Sequence, residues 1–355
     1  VIDNQAANIQ KILLQCYTFV IFLYLCTICI TYMNKKKFLT LTTTGFALFA
    51  MFFGAGNLVI PPYIGLKMGA ASGAAFVGFF LSGILIPFLA VLMVSSIGTS
   101  FTDLGKRFPA PFVNSLVVLI IVVFGPLVCV PRSGSTTYEV AIEPFFPMVG
   151  KVTFGVIFFA ITLFLALSRS KLVDIIGRWL TPILFLSLIV LIVEGTINAP
   201  KGLTDNGLSF KEAFTFGFSK GYLTLDVLSG VIFSGLIISA IIQKGYSSER
   251  QKREITILSG MIAAGCLVFI YGGLLYLGAT SDVVTTEEVK YIDILKHIAH
   301  KGLGNNGAIV ISVAVAFACL TTAVAIVSAM GGIFETLSHG RIPYRWGVWG
   351  CTLVS

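Results

Sequence analysis

Charge is what this sequence lacks. Only 11% of its 355 residues are Asp, Glu, Lys or Arg, while 56% are hydrophobic; soluble domains run near 25% charged and 45–50% apolar. A soluble fold is thereby excluded. Histidine is scarce too: His297, His300 and His339 all fall outside the apolar runs, and neither a His-Glu-x-x-His zinc motif nor a Gly-x-Ser-x-Gly elbow occurs. An enzyme is not expected. Seven cysteines (Cys16, Cys26, Cys29, Cys129, Cys266, Cys319, Cys351) sit mostly inside apolar runs, so they read as small packing residues, not as a zinc or disulfide framework. The net charge of +8 would suggest nucleic acid in a soluble chain, but these cations flank apolar stretches, so no nucleic-acid partner is expected.

What is present is a series of apolar runs, each about the 20 residues needed to cross a hydrocarbon core of about 30 Å. They fall near 12–32, 38–62, 74–97, 112–131, 152–168, 173–194, 213–243, 255–279 and 306–334, with a last one starting near Trp346. The lipid bilayer is thus the first expected partner. The first run stands apart, because Met33 opens Met-Asn-Lys-Lys-Lys, which looks like a bacterial initiator followed by a basic anchor. Residues 1–32 read as an extra, non-native segment. A signal peptide is the competing reading, but a basic n-region and a small-residue cleavage site are missing.

Counting from the 38–62 run, Lys35 to Lys37, Lys106, Arg107, Arg169, Lys171, Arg178, Lys244, Arg250, Lys252, Arg253, Arg341 and Arg345 share one side. Lys67, Arg132, Lys151, Lys201, Lys211, Lys220, Lys290, Lys296 and Lys301 lie opposite. By the positive-inside rule the Met33 side is cytoplasmic. Between the seventh and eighth core runs, Val289, Ile292, Leu295 and Ile298 recur every three residues, which predicts an amphipathic external helix, either on the membrane surface or as a lid over a vestibule.

Two runs are interrupted. Gly54-Ala55-Gly56-Asn57 lies mid-span, four residues before Pro61-Pro62, and unwound backbone at membrane depth is tolerated only where protein buries it or a watery cavity receives it. A half-helix starting there frees N–H groups that attract a carboxylate, so Ala55 and Gly56 are candidate carboxylate donors. Close helix packing is the alternative use of such small residues, and Gly69 and Gly73 fit it. The sixth core run again mixes glycine and polar residues, from Gly221 through Tyr222, Thr224, Asp226 and Ser229 to Gly230. Asp226 is a carboxylate near mid-span, costly enough to be functional by default; it could bind a cation, take a proton, receive an ammonium group or cap a helix. In the eighth core run Ala318-Cys319-Leu320-Thr321-Thr322 places two hydroxyls mid-span, oxygen donors that suit a hard cation or simply bond the preceding turn.

Gly45 to Pro62, reading GFALFAMFFGAGNLVIPP, resembles the first helix of bacterial branched-chain amino-acid carriers of the LIVCS family, and Gly125-Pro126, Pro131-Arg132, Thr137-Tyr138-Glu139 and Gly221 to Asp226 are similar to the same family. The resemblance runs from about Met33 to Ser355. It implies an all-α membrane fold of leucine-transporter type, an inverted five-plus-five helix repeat with discontinuous first and sixth helices: residues 33–195 form the first repeat and 196–355 an incomplete second one, since such a carrier has about twelve helices. It implies sodium-coupled or proton-coupled symport of leucine, isoleucine and valine across the bacterial inner membrane, with no cofactor besides the coupling ion. Substrate contacts implied are Ala55, Gly56, Tyr138, Thr224 and Asp226. Ala50 and Phe53 opposite Ala318, Thr321 and Thr322 are the implied sodium site, and Phe52, Asn57 and Thr224 a second ion position. A channel is the first rival and lacks ring-forming filter motifs; transport of another small neutral solute, or an inactive fragment, are the others.

Overall fold

The computed structural model describes residues 35–97, 109–169, 171–198, 202–203, 207–282 and 291–355, and among them every regular element is a helix. The extra segment 1–32, Met33, Lys106, Arg107, Lys201, Val289 and Lys290 lie outside the described residues.

Among the described residues twelve helices follow one another: α1 (Lys35–Phe52), α2 (Ala55–Met68), α3 (72–97), α4 (110–142), α5 (Lys151–Ala166), α6 (Leu172–Ile197), α7 (Phe210–Tyr222), α8 (Asp226–Gln243), α9 (Glu249–Ala279), α10 (Tyr291–Leu303), α11 (Asn305–Leu337) and α12 (Tyr344–Val354). Helix is the enforced choice, because an apolar chain in lipid must satisfy its own backbone. Among the described residues six stretches are long and apolar enough to cross a membrane: Ala55–Ser96, Pro111–Ile142, Leu172–Ile197, Asp226–Gln243, Glu249–Ala279 and Asn306–Leu337. Their outer surfaces carry exposed Leu89, Leu119, Trp179 and Leu186, the distribution a bilayer solvates and water does not.

Several spans run further than the apolar pattern predicts. The fourth helix, read as ending at 131, continues to Ile142 through π-helical turns at Val123–Cys129 and Tyr138–Ile142. The first of these contains Pro126, whose missing N–H and ring clash with the preceding turn explain the wider loop. Ser209 opens α7 with a reciprocal cap: its hydroxyl accepts from the Glu212 N–H, and its own N–H donates to Glu212 Oε2 at 2.9 Å.

Packing is set by glycines at helix crossings. A Cβ on Gly65 would come 1.8 Å from the Leu275 carbonyl, and one on Gly278 1.9 Å from that of Pro62, which fixes α2 against α9. Gly78 and Gly217 do the same for α3 and α7, at 2.1 Å from Phe214 O and 1.9 Å from Ala75 O. Gly69 and Gly73, the packing candidates from sequence, serve otherwise: Gly69 ends α2 at φ 50°, and a Cβ on Gly73 would meet nothing within 4 Å.

The amphipathic segment is a helix, α10, and it is docked. Ile294, Leu295, Ile298 and Ala299 are buried against the bundle, Ile292 partly so, and Tyr291 packs on Tyr63 of α2 with ring centroids 4.5 Å apart. It covers the end of α2 instead of lying apart on a surface. Asp282 at the close of α9 ties it down through Lys301 and His297 (2.9 Å). At the opposite end of the bundle, Lys37 pairs with Glu254, Lys244 with Asp174 (2.8 Å) and Arg169 with Glu335.

Candidate functional site

Two interruptions meet at the centre of this bundle. The first is short: Phe53 and Gly54 lie between α1 and α2, and Gly54 is extended, at φ −98° and ψ −174°. Its N–H turns to Phe52 O (3.0 Å) instead of Ala50 O, so the Ala50 carbonyl loses its helical donor. On the far side, the first i→i−4 bond of α2 is Leu58 N–H to Gly54 O (3.2 Å), which leaves the Ala55 and Gly56 amides without an intrahelical acceptor, at the positive end of a 14-residue helix. Pro61 and Pro62 do not break the chain. They lie inside α2, and their effect is to free carbonyls one turn earlier.

The second interruption falls at Leu223, Thr224 and Leu225, between α7 and α8. Leu225 turns the chain at φ 60° and ψ 21°, left-handed backbone that costs a non-glycine residue on the order of 1–2 kcal/mol. Asp226 then opens α8, its carboxylate buried at 5% exposure. Thr224 Oγ1 donates to Asp226 Oδ2 at 2.9 Å and lies 2.7 Å from Gly221 O.

Asn57 joins the two breaks. Its Nδ2 donates to Phe52 O at 2.6 Å and to Asp226 Oδ2 at 2.8 Å, bonds whose buried partners would be costly to leave unsatisfied. Phe52, Asn57 and Thr224, expected to gather round one ion position, are therefore in one network with Asp226. Tyr271 of α9 stands beside it: its ring stacks on Phe53 and meets Phe79 edge-on, and its buried hydroxyl faces Asn57 and Asp226 without a well-formed hydrogen bond.

The other oxygen cluster lies where α11 crosses α1. Thr321 Oγ1 is 3.2 Å from Ala50 O, 2.9 Å from Phe317 O and 3.0 Å from Ala318 O. A hydroxyl has one proton, so it satisfies one of these carbonyls and leaves the others crowding an oxygen-rich spot. Thr322 Oγ1 is buried without a partner and points at Gly54, whose absent Cβ would stand 3.2 Å away. Ala50, Ala318, Thr321 and Thr322 thus converge with the first break, and Phe53 contributes its ring between Phe49 and Tyr271.

Tyr138 does not join them. Its hydroxyl donates to Val149 O at 3.0 Å and its ring packs near Phe154, in the last π turn of α4. One residue that the sequence reading assigned to an external loop does reach the site. Arg132 extends from α4 towards Gly56, with Nη2 3.7 Å and Nη1 4.0 Å from where a Gly56 Cβ would be. The apolar pattern ends at Pro131, one residue before it, whereas the helix continues to Ile142.

A family model described as "Branched-chain amino acid transport protein" matches residues 35–355. The branched-chain amino acid permease BraB of Bacillus subtilis is 35% identical over 298 residues, covering 82% of this chain and 67% of that protein. A Staphylococcus epidermidis protein named "Putative branched-chain amino acid carrier protein" is 35% identical over 334 residues, 88% of this chain and 72% of its own length. A Staphylococcus aureus relative of the same description is 33% identical over 329 residues, with the same two shares.

Proposed function

This chain belongs to the branched-chain amino acid transport protein family, a family of membrane transporters and not of enzymes, and from that premise we propose that it takes up leucine, isoleucine and valine by sodium-coupled alternating access. The observation that carries the reading is the meeting of two helix breaks through Asn57 and Asp226. Discontinuous helices around a midplane site are the architecture of secondary carriers. In this reading the Ala55 and Gly56 amides receive the substrate carboxylate, and the Asp226 carboxylate faces the ammonium group. Apolar surface from Phe52 and Phe233, whose rings meet at 6.1 Å, suits an aliphatic side chain.

Sodium belongs with Ala50 O, Ala318 O, Thr321 and Thr322, where neutral oxygens outnumber the protons available to them. The breaks occupy corresponding places in an inverted five-plus-five arrangement, α1/α2 in the first unit and α7/α8 in the second. The end carrying Lys37, Lys244 and Arg169 is taken as cytoplasmic, by the positive-inside bias. A proton-coupled carrier is the second reading, favoured by the buried carboxylate of Asp226. Uptake of labelled leucine into proteoliposomes, at fixed pH and membrane potential, separates the two: replacing sodium by choline is expected to abolish it, and indifference to that exchange would select the proton. Competition by isoleucine and valine but not by lysine is expected; equal inhibition by lysine sinks the branched-chain assignment.

A further inference from the structure

The guanidinium of Arg132 carries a charge on a spanning helix that the described residues leave without a hydrogen bond or ion pair. Arg132 lies on α4, which continues unbroken for ten residues beyond it to Ile142. Among the described residues it makes no hydrogen bond and no ion pair. An ionisable side chain on a spanning helix is costly and normally paired.

Snorkelling to an interface is the ordinary explanation for such a residue. The direction of the side chain argues against it. The guanidinium sits against Gly56, twelve residues from the end of α2 at Met68, which at 1.5 Å per residue is about 18 Å along the helix. It therefore stands at the level of the first break while remaining exposed, as a residue lining an open approach to the site does. The neighbouring groups are those of the site: the Cys319 thiol lies within electrostatic range of Arg132, and the Cys129 thiol within range of both Arg132 and Asp226. The Arg132 guanidinium and the Asp226 carboxyl group thus flank the same region. Two buried hydroxyls there, of Tyr271 and Thr322, also lack partners, as groups that await a ligand do.

We propose that Arg132 binds the carboxylate of the amino-acid substrate, sharing it with the Ala55 and Gly56 amides. The planar fork of an arginine matches a carboxylate bidentately, and the missing Cβ of Gly56 keeps the space between amide and guanidinium clear. With Asp226 for the ammonium group, the site has opposite charges for both ends of a zwitterion. It would accept free amino acids and reject amides, esters and peptides blocked at the carboxyl group. The inference rests on the transport reading above and names the group that recognises the substrate's acid end.

The test compares leucine with leucinamide, which keeps the side chain and amine but has no negative charge, by titration calorimetry on the purified chain in sodium-containing nanodiscs. The unmutated chain is expected to prefer leucine by about ten- to a hundredfold, the span of one charge-assisted contact. Arg132→Gln should weaken leucine by that factor and leave leucinamide within about twofold, so that the preference collapses. Arg132→Lys, which keeps the charge but not the fork, should fall between them. Equal weakening of both ligands would mark Arg132 as structural and overturn the proposal, as would an undiminished preference for leucine in both variants. If the unmutated chain binds lysine or an unrelated solute in place of leucine, the substrate reading itself fails; leucine binding that ignores residue 132 removes only this inference.

Discussion

Thr321 and Thr322 are adjacent in sequence and alike in chemistry, yet their surroundings differ in a way that can be tested. Thr321 is one hydroxyl among three carbonyl oxygens, whereas Thr322 is a buried hydroxyl with none. If both are sodium ligands, either Thr→Val change removes one oxygen from a small shell, and apparent sodium affinity in uptake assays should fall by about ten- to a hundredfold. Valine keeps the shape, so insertion and folding should be little altered. If Thr322 is instead a passive orphan, Thr322→Val deletes an unsatisfied polar atom and is expected to leave sodium affinity unchanged while raising thermal stability. Asp226→Asn addresses the alternative ion: pH dependence of uptake that disappears in this variant, with both threonine variants normal, would transfer coupling to the proton.

At the scale of elements, the two breaks were not equally legible. Glycine marked the first correctly, because Gly54 is the residue that leaves the helix. In the second, Gly221 and Gly230 are helical contacts: a Cβ on Gly221 would strike Ser82 Oγ at 2.2 Å, and one on Gly230 would meet Pro87 O at 2.8 Å. The turn itself uses Leu225 in left-handed backbone, a conformation no propensity rule assigns to leucine. Only tertiary constraint, including the Asp226 bonds to Asn57 and Thr224, makes it tenable. The docked helix α10 was legible as amphipathic but not as a cap, since periodicity gives a face and not its partner. Its tether has a pH signature. Hydrogen bonds from Lys301 and His297 hold the Asp282 carboxyl down at about 2, below its ordinary 3.8. A depressed carboxylate stabilises the folded state above its ordinary value, and that contribution disappears as pH falls through about 2. At neutral pH, Asp282→Asn should mimic the loss: amide exchange across α10 is expected to quicken, by no more than about fivefold, because a partly exposed pair is worth at most about 1 kcal/mol. High salt should narrow the difference between variant and parent; exchange that is unaffected by the substitution would show that Ile294, Leu295 and Ile298 hold the helix alone.

For the whole molecule, the poverty of charge and the recurrence of apolar runs were enough to give an all-helical membrane protein, because lipid leaves a chain of this kind few other structures. The limits of the site were less accessible. The apolar pattern places Arg132 just past a helix end, whereas α4 runs on to Ile142, and the Tyr138 hydroxyl donates to Val149 O. Sidedness is where the sequence pattern makes a claim about the entire molecule. Lys37, Arg169, Lys244, Arg341 and Arg345 fall at one end, cross-linked by the pairs with Glu254, Glu335 and Asp174, while α10 with His297, His300 and Lys301 caps the other. The positive-inside rule assigns the first end to the cytoplasm. Both ends offer exposed positions for labelling, Arg341 at the first and His300 at the second. In intact cells, an impermeant maleimide is expected to modify His300→Cys at once and Arg341→Cys only after lysis, with the parent chain measuring the background from its native cysteines. The α10 cap then faces the medium, where it covers the entrance used by incoming substrate. The reverse labelling pattern would invert the carrier in the membrane, and α10 would become a cover over the exit.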